Sequence, residues 1–219
     1  VATIDFAKQF KGHGWVGSSF QIEPDEAYNE IILHIRFKET DSRLQQETLG
    51  ILGVNLIYGA YYKYNDPKKL LRYLYDHLDK DQLEIDTINF SGPRFADVDN
   101  RLISLQLVKN GMTDAVMFNP EGKNILPAAI LYKKNILAFR GSFRPVTKVN
   151  MDMYEKSLKM FLEENKVEKD NTLVIFEITL SNLRSDGEID ERDFMDRAEL
   201  LCSLGQTVMI SNFQEYFKV

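Results

Sequence analysis

Short apolar runs alternate along this chain with longer segments of helical period, and that alternation restricts the fold more than any single residue does. The runs "NEIILHIRF" (29–37), "QLEIDTINFSG" (82–92), "DAVMF" (114–118), "TLVIFEITL" (172–180) and "TVMIS" (207–211) are rich in β-branched and aromatic residues and too short for helices. Between them lie helical segments: 42–62, a second that starts at Asp66–Pro67, 97–111, 150–165 and 190–205. Strands separated by helices imply parallel neighbours, because a parallel pair needs a crossover. The strands also lack strict polar alternation, as expected of a sheet covered on both faces. The expectation is an α/β fold with a mostly parallel sheet and helices on both faces, Rossmann-like; a segment of an α/β barrel is the alternative. No linker or low-complexity tract divides the 219 residues, which read as one domain, 1–219.

Local signals refine this outline. Ser42 with Gln45 fits a capping box at the start of the first helix. That helix is apolar nearly all round and so reads as buried. Gly50 and Gly53 would cost stability inside it unless another backbone packs close. Asp66–Pro67 opens a second helix with Leu70, Leu71, Leu74 and Leu78 on one stripe. Asn110–Gly111 is a helix stop. Residues 128–142 read as two strands around a turn at 133–135. "GHGWVGSSF" (12–20) is glycine-rich without matching a phosphate loop and reads as an irregular loop with Trp15 packed down.

The totals exclude several classes. A net charge of −6 gives nucleic-acid binding no overall electrostatic support. The single cysteine, Cys202, rules out a disulfide framework within the chain, fits a reducing, cytoplasmic setting, and reads as a small buried hydrophobe. The uncharged run 48–62 is shorter than the roughly 20 apolar residues of a membrane span. No secretory signal stands at the start, and the first residue is Val1, which suggests a piece of something longer.

Chemistry is expected beyond the C-terminal ends of the strands, where open α/β sheets and α/β barrels hold ligands. His34, Arg36, Arg94, Arg140, Ser142, Arg144 and Glu177 stand there. In "ILAFRGSFRPVT" (136–147) an apolar run leaves the core through two arginines around a Gly-Ser step. Arg140 and Glu177 sit inside apolar runs, and buried charges are costly unless paired. One reading makes them structural ions paired with each other or with neighbours. The other makes Arg140, Ser142 and Arg144, with His34, Arg36 and Arg94, ligand-binding residues for a phosphate or carboxylate, and Glu177 a candidate general base. Asp97 reads as a helix cap rather than a metal ligand with Asp99, and 182–194 as a turn and helix cap rather than a calcium loop. No metal site is assigned, and no dinucleotide, P-loop, zincin or nucleophile-elbow signature is present to specify a cofactor.

The stretches "GHGW", "LHIRF", "QQETLGILGVNLIYGAYY", "FSGPRFADVDNRLISLQLV", "RGSFRPVT" and "DFMDRAELLCSLGQTVMISNFQEY" resemble, together, one uncharacterised bacterial protein family. The resemblance covers nearly the whole chain. It implies a longer protein with sequence on both sides, in a cytoplasmic setting. Members carry transferred labels such as TonB-dependent receptor or nicotinate-nucleotide adenylyltransferase. These residues support neither: the first needs a signal peptide and many membrane strands, the second a histidine-bearing nucleotide loop. Two functions stay open. The chain is an enzyme or binding protein for a phosphorylated or carboxylated small molecule, or a non-catalytic scaffold or assembly subunit whose 48–62 helix or sheet edge meets a partner chain or a second copy.

Overall fold

The computed structural model describes residues 1–5, 11–184 and 187–215. Its contacts group into two compact units, Val1–Thr113 and Asp114–Val219. Among the described residues no helix is long and apolar enough to cross a membrane.

The first unit contains β1 (Ala2–Asp5), β2 (His13–Phe20), β3 (Asn29–Phe37), α1 (Ser42–Tyr62), α2 (Pro67–Tyr73), β4 (Leu83–Ser91), a 3-10 turn (Pro93–Phe95) and α3 (Asn100–Lys109). Its sheet runs β1-β2-β3-β4 and every pair is antiparallel. Two consecutive helices explain the step from β3 to β4. A single helix would carry the chain back to the end where β3 began and make the next strand parallel. α1 and α2 reverse it twice, so β4 starts where β3 stopped.

Side chains alternate across these strands. Val16, Ile31, Leu33, Ile35, Phe37, Ile85, Ile88 and Phe90 are buried on one face, with Leu52, Leu56, Leu70, Leu71, Leu74 and Leu105 of the helices also in the core. The 12–20 stretch, expected as a loop, is β2. Gly14 and Val16 point inward while His13 and Trp15 point outward, and Trp15 is 43% exposed rather than packed down. Gly14 is required there: a Cβ would lie 2.1 Å from the Thr3 carbonyl oxygen. Its glycine content signals close pairing with β1, not irregularity.

α1 also departs from expectation. Asp41, not Ser42, caps it, accepting from the Arg43 and Leu44 amides at 2.8 and 3.1 Å. The Gln45 amide turns instead to the Glu39 carbonyl. The helix is only half buried: Val54, Ile57, Tyr58, Tyr61 and Tyr62 are exposed. Nothing lies within 4 Å of a Cβ built at Gly50 or Gly53, so no backbone approaches there; Gly59 is the position that packs, against Leu70.

The second unit contains β5 (Ala115–Phe118), β6 (Asn124–Ile125), α4 (Pro127–Leu131), β7 (Asn135–Arg140), α5 (Lys148–Leu162), β8 (Thr172–Thr179), α6 (Leu180–Leu183), α7 (Glu191–Ser203) and β9 (Thr207–Ser211). The sheet order is β6-β5-β9-β8-β7. β7, β8 and β9 are parallel, with α5 and α7 in the two crossovers; β5 and β6 are antiparallel additions. Residues 128–142 therefore hold one strand, not two. Pro127 starts a short helix, where its missing N–H costs nothing.

The fold is thus an antiparallel four-stranded sheet and a separate mixed five-stranded sheet. It is neither the mostly parallel, Rossmann-like sheet expected from the sequence nor a barrel segment. The βαβ logic holds only for β7 to β9. It fails where a strand lacks an apolar run (β1, β2) and where two helices intervene.

Candidate functional site

Arg140, Ser142 and Arg144 line one cleft of about 430 Å³ in the second unit. It opens at the C-terminal end of β7. Phe143 and Phe176 form part of its wall, and Thr147 and Asn150 of the α5 capping box form its rim. Phe143 is buried with a positive φ of 46°, its ring 5.3 Å from that of Phe176. A Cβ at Gly141 would meet the Phe143 ring at 3.0 Å. The glycine therefore admits this ring, which folds the 141–147 segment back over the strand end.

Both arginines have acids beside them. Arg140 forks onto Glu177, Nε to Oε2 at 2.7 Å and Nη2 to Oε1 at 3.0 Å, and its Nη1 donates to the Gln214 carbonyl. Glu177 is fully buried and also accepts from the Ser211 hydroxyl. It sits on β8 next to Phe176, and alternation turns it to the opposite face. It does not line the cleft. With both oxygens engaged, Glu177 is placed as a structural carboxylate, not as a base facing a ligand. Arg144, about half exposed, lies 3.2 Å from Asp193 through Nε. Asp193 also pairs with the buried Arg197, whose Nη1 donates to the Ser142 carbonyl at 3.0 Å. Around this strand end Arg140 pairs with Glu177, and Arg144 and Arg197 share Asp193.

The other three residues named from the sequence belong to the first unit. Arg94, in the 3-10 turn, forks onto Glu26 at 2.7 and 3.2 Å and reaches Glu23 at 3.5 Å. Hydrogen bonding to Arg94 holds the Glu26 carboxyl below its ordinary value, and the same contact raises Arg94. This pairing ties the 21–28 loop to the turn after β4.

His34 and Arg36 share a partner that the sequence did not disclose, Asp86. His34 Nδ1 lies 2.8 Å from Asp86 Oδ1, and Arg36 Nη2 lies 3.7 Å from Oδ2. His34 and Asp86 are only 2% and 5% exposed. A β-bulge makes this possible. The β3–β4 register shifts between His34 and Ile35, so Thr87 pairs with His34, Ile85 with Ile35, and Asp86 is the extra residue. Bulges re-aim side chains in this way. On the other side of His34, Nε2 is 3.4 Å from Nδ1 of His13, and the Trp15 ring meets the His34 ring edge-on at 4.9 Å.

Sequence reasoning passed over His13, Trp15 and Asp86. The alternation of His13, Trp15 and Gly17 against Gly14 and Val16 was a usable strand signal for the first two. Asp86 had none, because only the bulge turns it toward His34. Asp99, not Asp97, caps α3, and its carboxylate is taken by the Arg101 amide and guanidinium. Asp190 caps α7, as expected for the 182–194 stretch, in which residues 185 and 186 lie outside those described. No family model matches this chain, and neither does any curated protein or solved structure.

Proposed function

We propose that the second unit binds a small phosphorylated or carboxylated molecule in the cleft at the end of β7. The observation that carries this reading is that Arg140, Ser142 and Arg144 line one cleft beside the first turn of α5. An anion is favoured beside a guanidinium that reaches solvent, and beside the N-terminal turn of the α5 helix. Arg140 borders the cleft with its guanidinium committed to Glu177. Arg144 is the cation that reaches solvent. The reading is one of binding: Glu177 does not line the cleft, and both its oxygens are engaged.

A thermal-shift titration with phosphate and citrate tests it, because a ligand that binds only the folded state raises its melting temperature. The expected result is a concentration-dependent rise in the native chain that Arg144→Gln removes. No rise with either anion would end the proposal.

A second reading, an assembly subunit, is favoured by α1. Val54, Ile57, Tyr58, Tyr61 and Tyr62 form an exposed stripe in a stretch, 48–62, without a charged residue. A second copy would bury that stripe against its own, with Lys63, which lies over the Tyr58 ring, at its edge. Sedimentation velocity across a wide concentration range should then show self-association that Ile57→Glu abolishes.

A further inference from the structure

A chain of hydrogen bonds on the face of the first unit's sheet opposite Ile31, Leu33 and Ile35 has no part in the anion cleft. It runs from Asp86 through His34 to His13, with spacings of 2.8 and 3.4 Å. One order of protons satisfies both contacts with two neutral rings. A buried carboxylate accepts, so His34 carries its proton on Nδ1 and leaves Nε2 as an acceptor. His13 Nδ1–H then donates to His34 Nε2. That leaves His13 Nε2 with its lone pair, on an exposed side chain. Two polar atoms beside His34 are buried without a hydrogen-bond partner among the described residues: Asp86 Oδ2 and Thr87 Oγ1. Buried polar atoms are ordinarily satisfied, and such exceptions concentrate where a group does chemistry or binds.

Two partly exposed side chains, Trp15 and Arg36, flank the chain's outer end at His13. His13 and Arg36 are directly opposite one another across β2 and β3, and Trp15 is directly opposite His34. Trp15 presents an indole that is 43% exposed, and the Arg36 side chain is 40% exposed. An indole stacks on planar rings, and a guanidinium beside it takes negative charge.

We propose that this face is an acid–base site in which His13 accepts a proton from a planar, ionisable ligand seated against Trp15 and Arg36. The ligand's O–H or N–H bond breaks, its electron pair stays on the ligand, and the proton goes to His13 Nε2. The positive charge that appears on His13 is stabilised through His34 by Asp86; the new negative charge on the ligand lies beside Arg36. His34 and Asp86 are positioning residues, holding the tautomer that keeps His13 Nε2 bare. The titratable and charged groups on the strands packed beside His13 are Asp5 of β1, His34 and Arg36 of β3, and Glu84 and Asp86 of β4.

The chain has three histidines, so ¹⁵N-histidine NMR on the whole protein can read each ring. The expected result is the Nδ1–H tautomer for both His34 and His13, with His77 as the ordinary reference. Asp86→Asn should switch the His34 tautomer while leaving the backbone spectrum in place. 4-Nitrophenol serves as the ligand probe, its ionisation read at 400 nm and its seating by quenching of Trp15, the one tryptophan. Protein should increase the ionised fraction. His13→Gln should abolish that increase, and Asp86→Asn should cut it about tenfold while the quenching persists. Nε2–H tautomers in the native protein, or ionisation unchanged in His13→Gln, would overturn the proposal. So would Zn²⁺ titration that shifts both His13 and His34 signals, since a 3.4 Å separation also suits two nitrogens on one tetrahedral ion.

Discussion

Each unit buries a carboxylate beside cationic or basic side chains, and the two clusters end differently. In the second unit Glu177 and Arg140 close on each other. Two charge-assisted hydrogen bonds, a serine hydroxyl and a backbone carbonyl complete them. In the first unit Asp86 engages His34 through one oxygen and keeps the other without a hydrogen bond, and His34 passes its remaining nitrogen to an exposed histidine. A saturated pair has nothing to offer a ligand and much to lose if broken. An open chain stabilises less and keeps polar atoms without a hydrogen bond among the described residues. Burial of a charged residue alone therefore does not identify a site; what matters is whether its lone pairs and protons are already spoken for.

The sharpest way to break this contrast is Arg140→Ala. It strands Glu177 in the core and should cost about 3–5 kcal/mol of stability, read as a lowered urea midpoint. The double change Arg140→Met with Glu177→Leu should recover most of that loss, because no uncompensated charge remains. A loss under about 1 kcal/mol for Arg140→Ala would mean that the pair is not saturating. Asp86→Ala should cost less, about 1–3 kcal/mol, since it leaves the single His34 Nδ1 contact unmade. If it cost as much as Arg140→Ala, the first-unit chain would be as structural as the second.

Packing on α1 gives a smaller effect of opposite sign. Gly50→Ala and Gly53→Ala meet no atom within 4 Å and should each stabilise by about 0.5–1 kcal/mol, whereas Gly59→Ala meets Leu70 at 3.2 Å and should gain nothing. Chemical denaturation of the three variants checks this. The smallest effect belongs to the exposed Glu26–Arg94 fork. Folding lowers the Glu26 pKa from its ordinary 4.5. Its contribution is therefore present above that value and lost as pH falls through the lower folded value. Arg94→Gln should flatten this part of the acid limb of a stability–pH curve and leave the neutral plateau nearly unchanged.

Much of the secondary structure was readable along the chain, and the reason is local. β3, β4, β8 and β9 announce themselves by β-branched runs, α2 by Asp66–Pro67 and its leucines, α7 by its 190–205 pattern. β2 was not read as a strand because glycine and serine lower strand propensity, although Gly14 is there for the approach of Thr3. The candidate residues divide in the same way. Arg140 and Glu177 stood out as charges in apolar runs, and their cross-strand register, Arg140 opposite Glu177, makes them a pair. Asp86 stood out as nothing.

Propensity, capping and apolar period are properties of a few consecutive residues, so strands and helices could be placed by reading along the chain. Strand direction, register and the bulge at Asp86 are relations between segments far apart, His34 and Asp86 being 52 residues distant. Two helices rather than one between β3 and β4 turned an expected parallel step antiparallel. One extra residue in β4 brought a carboxylate under a histidine. Neither leaves a mark on local composition, because both depend on where the returning chain comes to lie.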